Sequence, residues 1–410
     1  MQIRITAPSQ IQTTVQLPSS KSICNRALIM QALAGGEAAL SNLSDCDDTR
    51  VMVECLRTLP HVADIGAAGT AMRFLTAFFA IRPGEEHVMT GPARMQQRPI
   101  RILVDALRAL GADITYTRAE GYPPLHIRGR RLTTSETTLP GNVSSQYISA
   151  LLLIGPMLPE GLTLHLTGEV VSRPYIDLTL GLMNEFGARA GWLPDERSIR
   201  VAPCPYRPHA YTVESDWSAA SYWYEMVALS DDAQARLPGL LSESLQGDSA
   251  VARLFEGLGV GTRFDAEGAV LERIPRTLER MDYDFTDRPD LAQTFVVTCA
   301  LLGLPFRFGG LQSLKIKETD RMAALIRELG KWGYALREEG GSTLVWDGTR
   351  TRPEETPVID TYEDHRMAMA FAPAALRRTD IVIREPQVVT KSYPHYWDDL
   401  SRAGFQLDEP

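Results

Sequence analysis

Five segments of the chain place apolar residues at three- and four-residue steps and then close on glycine: VDALRALGADI, LGLMNEFGARA, ARLFEGLGVGT, LIRELGKWGYA and WDDLSRAGFQL. Each pattern predicts an amphipathic helix stopped by a residue that tolerates positive φ. In the first, Leu103, Ala106, Leu107 and Leu110 make the apolar stripe and Gly111 ends it. The closing glycines are Gly111, Gly187, Gly259, Gly330 and Gly404, at steps of 76, 72, 71 and 74 residues. A sixth, weaker member, VMVECLRTLP, ends at Pro60, only 51 residues before Gly111. Spacing this regular predicts an internal repeat. Its period is too long for a solenoid unit and suits a small α+β unit of two helices and several strands. Strand-like runs between the helices (LTLHLTG, SIRVAP, STLVWDG, DIVIREP) agree with that reading. Six units divide most simply into two domains of three. The short first step predicts a first unit lacking about twenty residues, the length of a hairpin.

The helix beginnings break a rule. A helix amino end carries partial positive charge and favours acidic neighbours. In LPSSKSICNRALIMQALAGG, a helix through Ile29 to Leu33 stopped by Gly35 and Gly36 instead begins with Lys21 and Arg26, beside Ser22 and Asn25. GTAMRF puts Arg73 just after a predicted cap at Thr70, and ARMQQRPIRILVDAL puts Arg94 and Arg98 before Pro99, predicted as a first helical residue. KIKETDRMAALIREL sets Lys317 and Arg321 around a start at Thr319 or Asp320. DTYEDHRMAMAF sets His365 and Arg366 after a cap at Asp364, and VTKSYPHYW has Lys391 three residues before Pro394. Any one of these reads as a solvated surface residue. Together they predict shared anionic ligands, because free N–H groups, dipoles and cations all attract phosphate and carboxylate. So many cations imply two polyanions or one very highly charged one. GNVSSQYISALLL, with Ser144, Ser145 and Gln146, and VVSRPYIDLTLGL, with Ser172 and Tyr175, add neutral groups suited to cradling a phosphate.

Composition narrows the ligand class. The 410 residues are 44% hydrophobic and 23% charged, with a net charge of −9, which argues against a nucleic-acid or membrane-surface binder. The anion site is then a local gathering of cations in an acidic molecule. Five cysteines, an odd number without a C-x-x-C pair, fit a reduced, cytoplasmic protein. MQIRITAPSQ has no apolar signal core, and the run from Phe295, FVVTCALLGLPF, is too short to span a bilayer. No P-loop, Rossmann fingerprint or metal-ligand spacing occurs, so neither a cofactor nor a metal is expected.

From PSSKSICNRAL through GTAMR, RMQQRPI, SSQYISALL, VSRPYIDLTL, RPDLAQT, KETDRM and EDHRMAMAF to TKSYPHY, the chain resembles the 5-enolpyruvylshikimate-3-phosphate synthases, a family of enolpyruvyl transferases. The resemblance covers almost the whole chain in the family's order. It implies an α/β (α+β) fold, a two-domain inverse α/β barrel with three βαβαββ units in each domain. It implies domains of residues 18–214 and of 1–17 plus 215–410, hinged near 17–20 and 213–217, with helix beginnings converging on the interdomain cleft. It also implies a cytoplasmic monomer, open without ligand, acting on shikimate-3-phosphate and phosphoenolpyruvate and inhibited by glyphosate at the phosphoenolpyruvate site. By matching motif, Ser22 and Arg26 would meet shikimate-3-phosphate at its carboxylate, Ser144, Ser145 and Ser172 would meet its phosphate, and Lys21 would also bind it. Gln146, Tyr175, Asp290 and Lys317 would hold its ring and hydroxyls, and Ser313 would also bind it. Phosphoenolpyruvate would meet Lys21, Gly69, Arg98, Gln146, Arg321, His365, Arg366 and Lys391.

The implied chemistry joins the 5-hydroxyl to C2 of phosphoenolpyruvate while C3 gains a proton, and the tetrahedral intermediate then expels phosphate. Asp290 would be the base, Glu318 the acid, and Lys21 a third catalytic group. Lys317 and Arg321 flank Glu318 and favour its ionised form, so the acid role requires bound anions and exclusion of water to reverse that preference. The sequence departs from the family at Ala67 and Ser313, where Asn is usual, at Pro92, where Asp is usual, and at the bulky Trp217. These departures bear on affinity and glyphosate sensitivity. The sister transferase acting on UDP-N-acetylglucosamine generally carries a cysteine near R-x-x-R-P, and residues 85–100 have none. A non-catalytic anion-binding scaffold would tend to lose its acidic positions, yet Asp290 and Glu318 stand in intact motifs.

Overall fold

The computed structural model describes residues 1–36, 38–379 and 381–409. Among these residues the strands form five four-stranded sheets and one two-stranded sheet, and the five share one topology. In the first, Val62–Asp64 and Glu86–Thr90 run parallel and are joined by the helix Gly69–Ala80. The helix Arg101–Ala109 follows, then the antiparallel pair Asp113–Tyr116 and Leu125–Arg128, with Leu125–Arg128 beside Glu86–Thr90. This is the βαβαββ unit, with strand order 1-2-4-3.

The two-stranded sheet shows what the first repeat lacks. Leu40–Ser41 pairs in parallel with Tyr211–Thr212, and the helix Asp47–Thr58 leads directly to Val62–Asp64, the first strand of the next sheet. The terminal hairpin is missing, as the 51-residue step predicts.

Two units result: Ser19–Val213, called here the contiguous unit, and Met1–Pro18 with Glu214–Pro410, the split unit. In the split unit, Gln2–Thr6 lies between Ile381–Arg384 and Gln406–Asp408 and completes the last sheet. Ile11–Thr14 runs parallel to Ala233–Pro238, so residues 19–213 are inserted into a βαβ connection.

The two helices of a repeat bury themselves differently. The first is covered nearly all round. Every residue of Gly69–Ala80 is buried, and so is every residue of Trp217–Leu229 except Ser218. The second carries the amphipathic stripe. In Arg321–Lys331 the buried positions are Arg321, Met322, Ala324, Leu325, Glu328 and Leu329, and the Asp320 side chain caps the first turn by accepting from the Ala323 N–H at 3.1 Å.

Gly111, Gly187, Gly259 and Gly404 take φ of 105°, 85°, 95° and 97° immediately after these helices. Gly330 does not. It lies inside Arg321–Lys331, and the closing residue is Gly333, at φ 80°. The reason is in the hydrogen bonds: the N–H after the glycine returns to a carbonyl five residues back, from Ala112 to Leu107, Ala188 to Met183 and Phe405 to Leu400. In this repeat that bond runs from Tyr334 to Leu329, around Gly333. The shortened repeat closes on Leu59, at φ 44°, whose own N–H returns to the Cys55 carbonyl (2.9 Å), since Pro60 has no N–H to donate. No helix among the described residues is long and apolar enough to cross a membrane.

Candidate active site

In the contiguous unit, helix Lys21–Ala34 starts at the Ser20 cap with no acidic residue in its first turn. Lys21 Nζ lies 3.3 Å from Asp48 Oδ2, in the first turn of the next helix. Arg26, one turn further on, is buried and held by neutral oxygens. Its Nε donates to Thr179 Oγ1 (2.7 Å), Nη1 to the Ser22 carbonyl (2.8 Å), and Nη2 to Ser149 Oγ (3.1 Å) and the Tyr175 carbonyl (3.3 Å). Burial lowers this guanidinium to about 10, so it remains a cation at neutral pH.

Ser144 caps the helix Ser145–Ile154, accepting from the Gln146 N–H at 3.4 Å, and the Gln146 side chain donates to Thr70 Oγ1 at 3.1 Å. Ser172 stands at φ 56° at the start of the helix Arg173–Glu185, with Pro174 in its first turn and Tyr175 one residue later. The helix Gly69–Ala80 is capped by Ala68, so Thr70 is inside its first turn rather than at the predicted cap. Its hydroxyl is turned to Gln146 instead.

Gly69 lies against the side chain of Arg98. A Cβ there would stand 2.6 Å from Nη2 of Arg98, so the missing side chain makes room for a guanidinium. Arg73 holds the same segment: its Nη1 donates to the Gly69 carbonyl (3.1 Å) and its Nη2 to the Pro99 carbonyl (3.0 Å), which also accepts from Tyr147 (2.5 Å). Pro99 therefore precedes the helix, which begins at Arg101 after Ile100. The Pro99 carbonyl is an anchor point, not a free helical group.

In the split unit, Arg321 is 2% exposed at the first position of its helix and binds three carboxylates. Nε and Nη2 donate to Asp364 (2.7 and 3.4 Å), Nη1 to Asp290 (3.2 Å) and Nη2 to Glu318 (2.9 Å). Burial alone would lower this guanidinium, but Asp364, then Glu318 and Asp290, raise it above the ordinary arginine value. Asp290, on the short turn Pro289–Leu291, also meets Arg366 Nη2 (3.0 Å) and Lys317 Nζ (3.6 Å). Glu318 meets Lys391 Nζ at 2.5 Å. Burial holds the Lys317 ammonium below the usual lysine range, against the pull of Asp290.

Asp364, fully buried, caps the helix His365–Phe371 through the Arg366 N–H (2.9 Å), and His365 Nδ1 lies 3.7 Å from its Oδ1. Arg366 also reaches Tyr222 Oη at 3.3 Å. Lys391 does not start a helix. It closes the 3-10 turn Pro386–Lys391, and the next helix begins at Tyr396. Ser313 sits half-buried on the 3-10 turn Gln312–Ile316.

The sequence reading missed the groups that hold the cations: Asp48, Ser149 and Thr179 in the contiguous unit, and Asp364 as more than a cap in the split unit. It also missed Asp248, buried at the start of a 3-10 turn, whose carboxylate accepts from Ser218 Oγ. Burial, then Asp290, pushes Asp248 up to about 6. Because the folded state holds that proton more tightly than the unfolded chain does, its contribution is complete at pH values below 4. It is lost as pH rises through about 6. The amount is roughly 3 kcal/mol. Asp248→Asn should therefore match the wild type in thermal stability near pH 4 and exceed it at pH 7.5. The same difference at both pH values would contradict this.

The family model described as EPSP synthase (3-phosphoshikimate 1-carboxyvinyltransferase) matches residues 5–65 and 60–400. A 3-phosphoshikimate 1-carboxyvinyltransferase of Bacteroides fragilis is 62% identical over 407 residues, covering 99% of each chain. One from Vibrio cholerae serotype O1 is 36% identical, over 96% of this chain and 97% of its own. Among solved structures, an EPSP synthase from Acinetobacter baumannii aligns over 100% of both chains with a TM-score of 0.78 at 21% identity. The enolpyruvyl transferase NikO from Streptomyces tendae aligns over 99% and 98%, with a TM-score of 0.72 at 15% identity. With its six-repeat fold and this breadth of similarity, the chain belongs to the EPSP synthase family, the 3-phosphoshikimate 1-carboxyvinyltransferases.

Proposed function

We propose how this chain carries out the enolpyruvyl transfer of its family, from phosphoenolpyruvate to the 5-hydroxyl of shikimate-3-phosphate in aromatic amino-acid biosynthesis. The observation that carries the reading is the cluster in the split unit, where Lys317, Arg321, Arg366 and Lys391 surround Asp290 and Glu318. Cations gathered this densely around two carboxylates suit a pair of small anionic substrates. Asp290 takes the 5-hydroxyl proton as the oxygen bonds to C2 of phosphoenolpyruvate, and Glu318 delivers a proton to C3. Loss of phosphate from C2 and of a proton from C3 restores the double bond.

The phosphoenolpyruvate groups are Lys21, Gly69, Arg98, Gln146, Arg321, His365, Arg366 and Lys391. Ser144, Ser145 and Ser172 take the shikimate phosphate. Ser22 and Arg26 take its carboxylate, and Gln146, Tyr175, Ser313 and Lys317 take its ring and hydroxyls. The protein works as a cytoplasmic monomer, and glyphosate competes for the phosphoenolpyruvate groups. Support for the cytoplasm comes from five cysteines without a disulfide.

Phosphate release in the presence of phosphoenolpyruvate and shikimate-3-phosphate, with UDP-N-acetylglucosamine as the control acceptor, tests the reading. Release is expected with the first acceptor only. Release with the second, or with neither, would end it.

A further inference from the structure

Immediately before Asp364 the chain does something unusual. Tyr362 and Glu363 both adopt the left-handed conformation, at φ 55° and 57°, and neither is a glycine. Side chains crowd the following carbonyl there, so one such residue is uncommon and two in succession persist only where the surroundings impose them. The surroundings here are well defined. Glu328, fully buried on the helix Arg321–Lys331, accepts from the Tyr362 hydroxyl, from the Asp360 N–H (3.0 Å) and from Lys331 Nζ (2.7 Å). Lys331 in turn donates to the Val358 carbonyl (2.7 Å) and to Asp360 Oδ2 (2.9 Å), while Arg327 lies over the Tyr362 ring, 5.6 Å from its centre. Burial, then Glu328, pushes the Tyr362 phenol up to about 12, so it stays a donor at neutral pH.

The helix that presents Arg321 at its first position thus also carries, two turns later, the carboxylate that fixes the turn delivering Asp364 to Arg321. We propose that Tyr362 and Glu328 are positioning residues, which hold a strained turn so that Asp364 aligns Arg321 toward phosphoenolpyruvate and the two reacting carboxylates. This rests on the assignment of Arg321 to phosphoenolpyruvate made above. Neither residue touches the reacting groups. Both act through Asp364, whose Oδ2 takes the Arg321 Nε–H and whose Oδ1 caps Arg366.

Tyr362→Phe keeps the ring under Arg327 and removes the hydroxyl, with its bond to Glu328 and the one it accepts from Arg327 Nη1 (3.4 Å). Expected are a rise of about tenfold in KM for phosphoenolpyruvate, a lower kcat, and a KM for shikimate-3-phosphate within about twofold of wild type. A role confined to stability would lower thermal stability and leave the KM values alone. Glu363 is exposed, and Asn accepts the left-handed region more readily than Glu does. Tyr362→Phe with Glu363→Asn should therefore regain most of the phosphoenolpyruvate affinity, because the turn no longer needs the hydroxyl to hold it. Wild-type KM for phosphoenolpyruvate in Tyr362→Phe, or no recovery in the double variant, would overturn the proposal. Arg321→Gln run alongside separates the two levels. If it keeps full turnover, the assignment of Arg321 and the positioning role both fall. If it loses turnover while Tyr362→Phe is unaffected, only the positioning role falls.

Discussion

Replacing Glu318 by Gln is expected to lower kcat by about 10²–10⁴-fold, the usual contribution of one positioned acid or base, with KM values changing far less. Gln has nearly the same shape and keeps an oxygen for Arg321 or Lys391, so the fold around Asp290 should survive. What is lost is the transferable proton. Glu318 is paired with Arg321 at 2.9 Å and Lys391 at 2.5 Å, and both favour its ionised form. A role as acid requires those cations to be drawn to other anions. The phosphate and carboxylate of phosphoenolpyruvate are the anions available, so the substrate would create the acid that attacks it. Steady-state rates with both substrates varied, and a thermal melt to confirm folding, check this. A folded Glu318→Gln enzyme with near-normal turnover removes Glu318 from the chemistry.

What could be read in the letters depended on which kind of burial a residue had. The second helix of each repeat is half-buried, so its stripe shows in the sequence and gave the repeat its period. The first helices, such as Gly69–Ala80, are covered on all sides and have no stripe to find. Gly330 was mistaken for the stop because LGKWG contains two glycines, and only the returning Tyr334 N–H distinguishes them. The cations were visible because their sign is wrong for a helix beginning. Their partners were not. Asp364 reads as an ordinary cap, which it also is, and its bond to Arg321 spans 43 residues. Ser149 and Thr179 are 123 and 153 residues from Arg26, and a hydroxyl on a helix carries no local mark of such a bond. Short-range violations advertise a site, while the long-range contacts that satisfy it need the fold.

Arg321→Gln should cost both stability and activity, and the two losses can be separated. The side chain is the common partner of Asp364, Asp290 and Glu318, and Asp364 is fully buried. Removing one member of a buried charge group leaves the others uncompensated, at a cost of about 3–5 kcal/mol. For a unit of roughly two hundred residues that is a fall in melting temperature of about 10 °C, at 2–4 °C per kcal/mol. The deficit should shrink as the pH is lowered, because protonating the orphaned carboxylates removes the charge that has lost its partner. Adding Asp364→Asn should recover much of the stability at neutral pH, since removing both partners avoids a buried unpaired charge. It should recover little of the turnover, because the one guanidinium that Glu318 and Asp290 share is still missing. Recovery of turnover along with stability would show that Arg321 serves only to neutralise buried acids, and that the cations of this cluster are there for the fold rather than for the substrate.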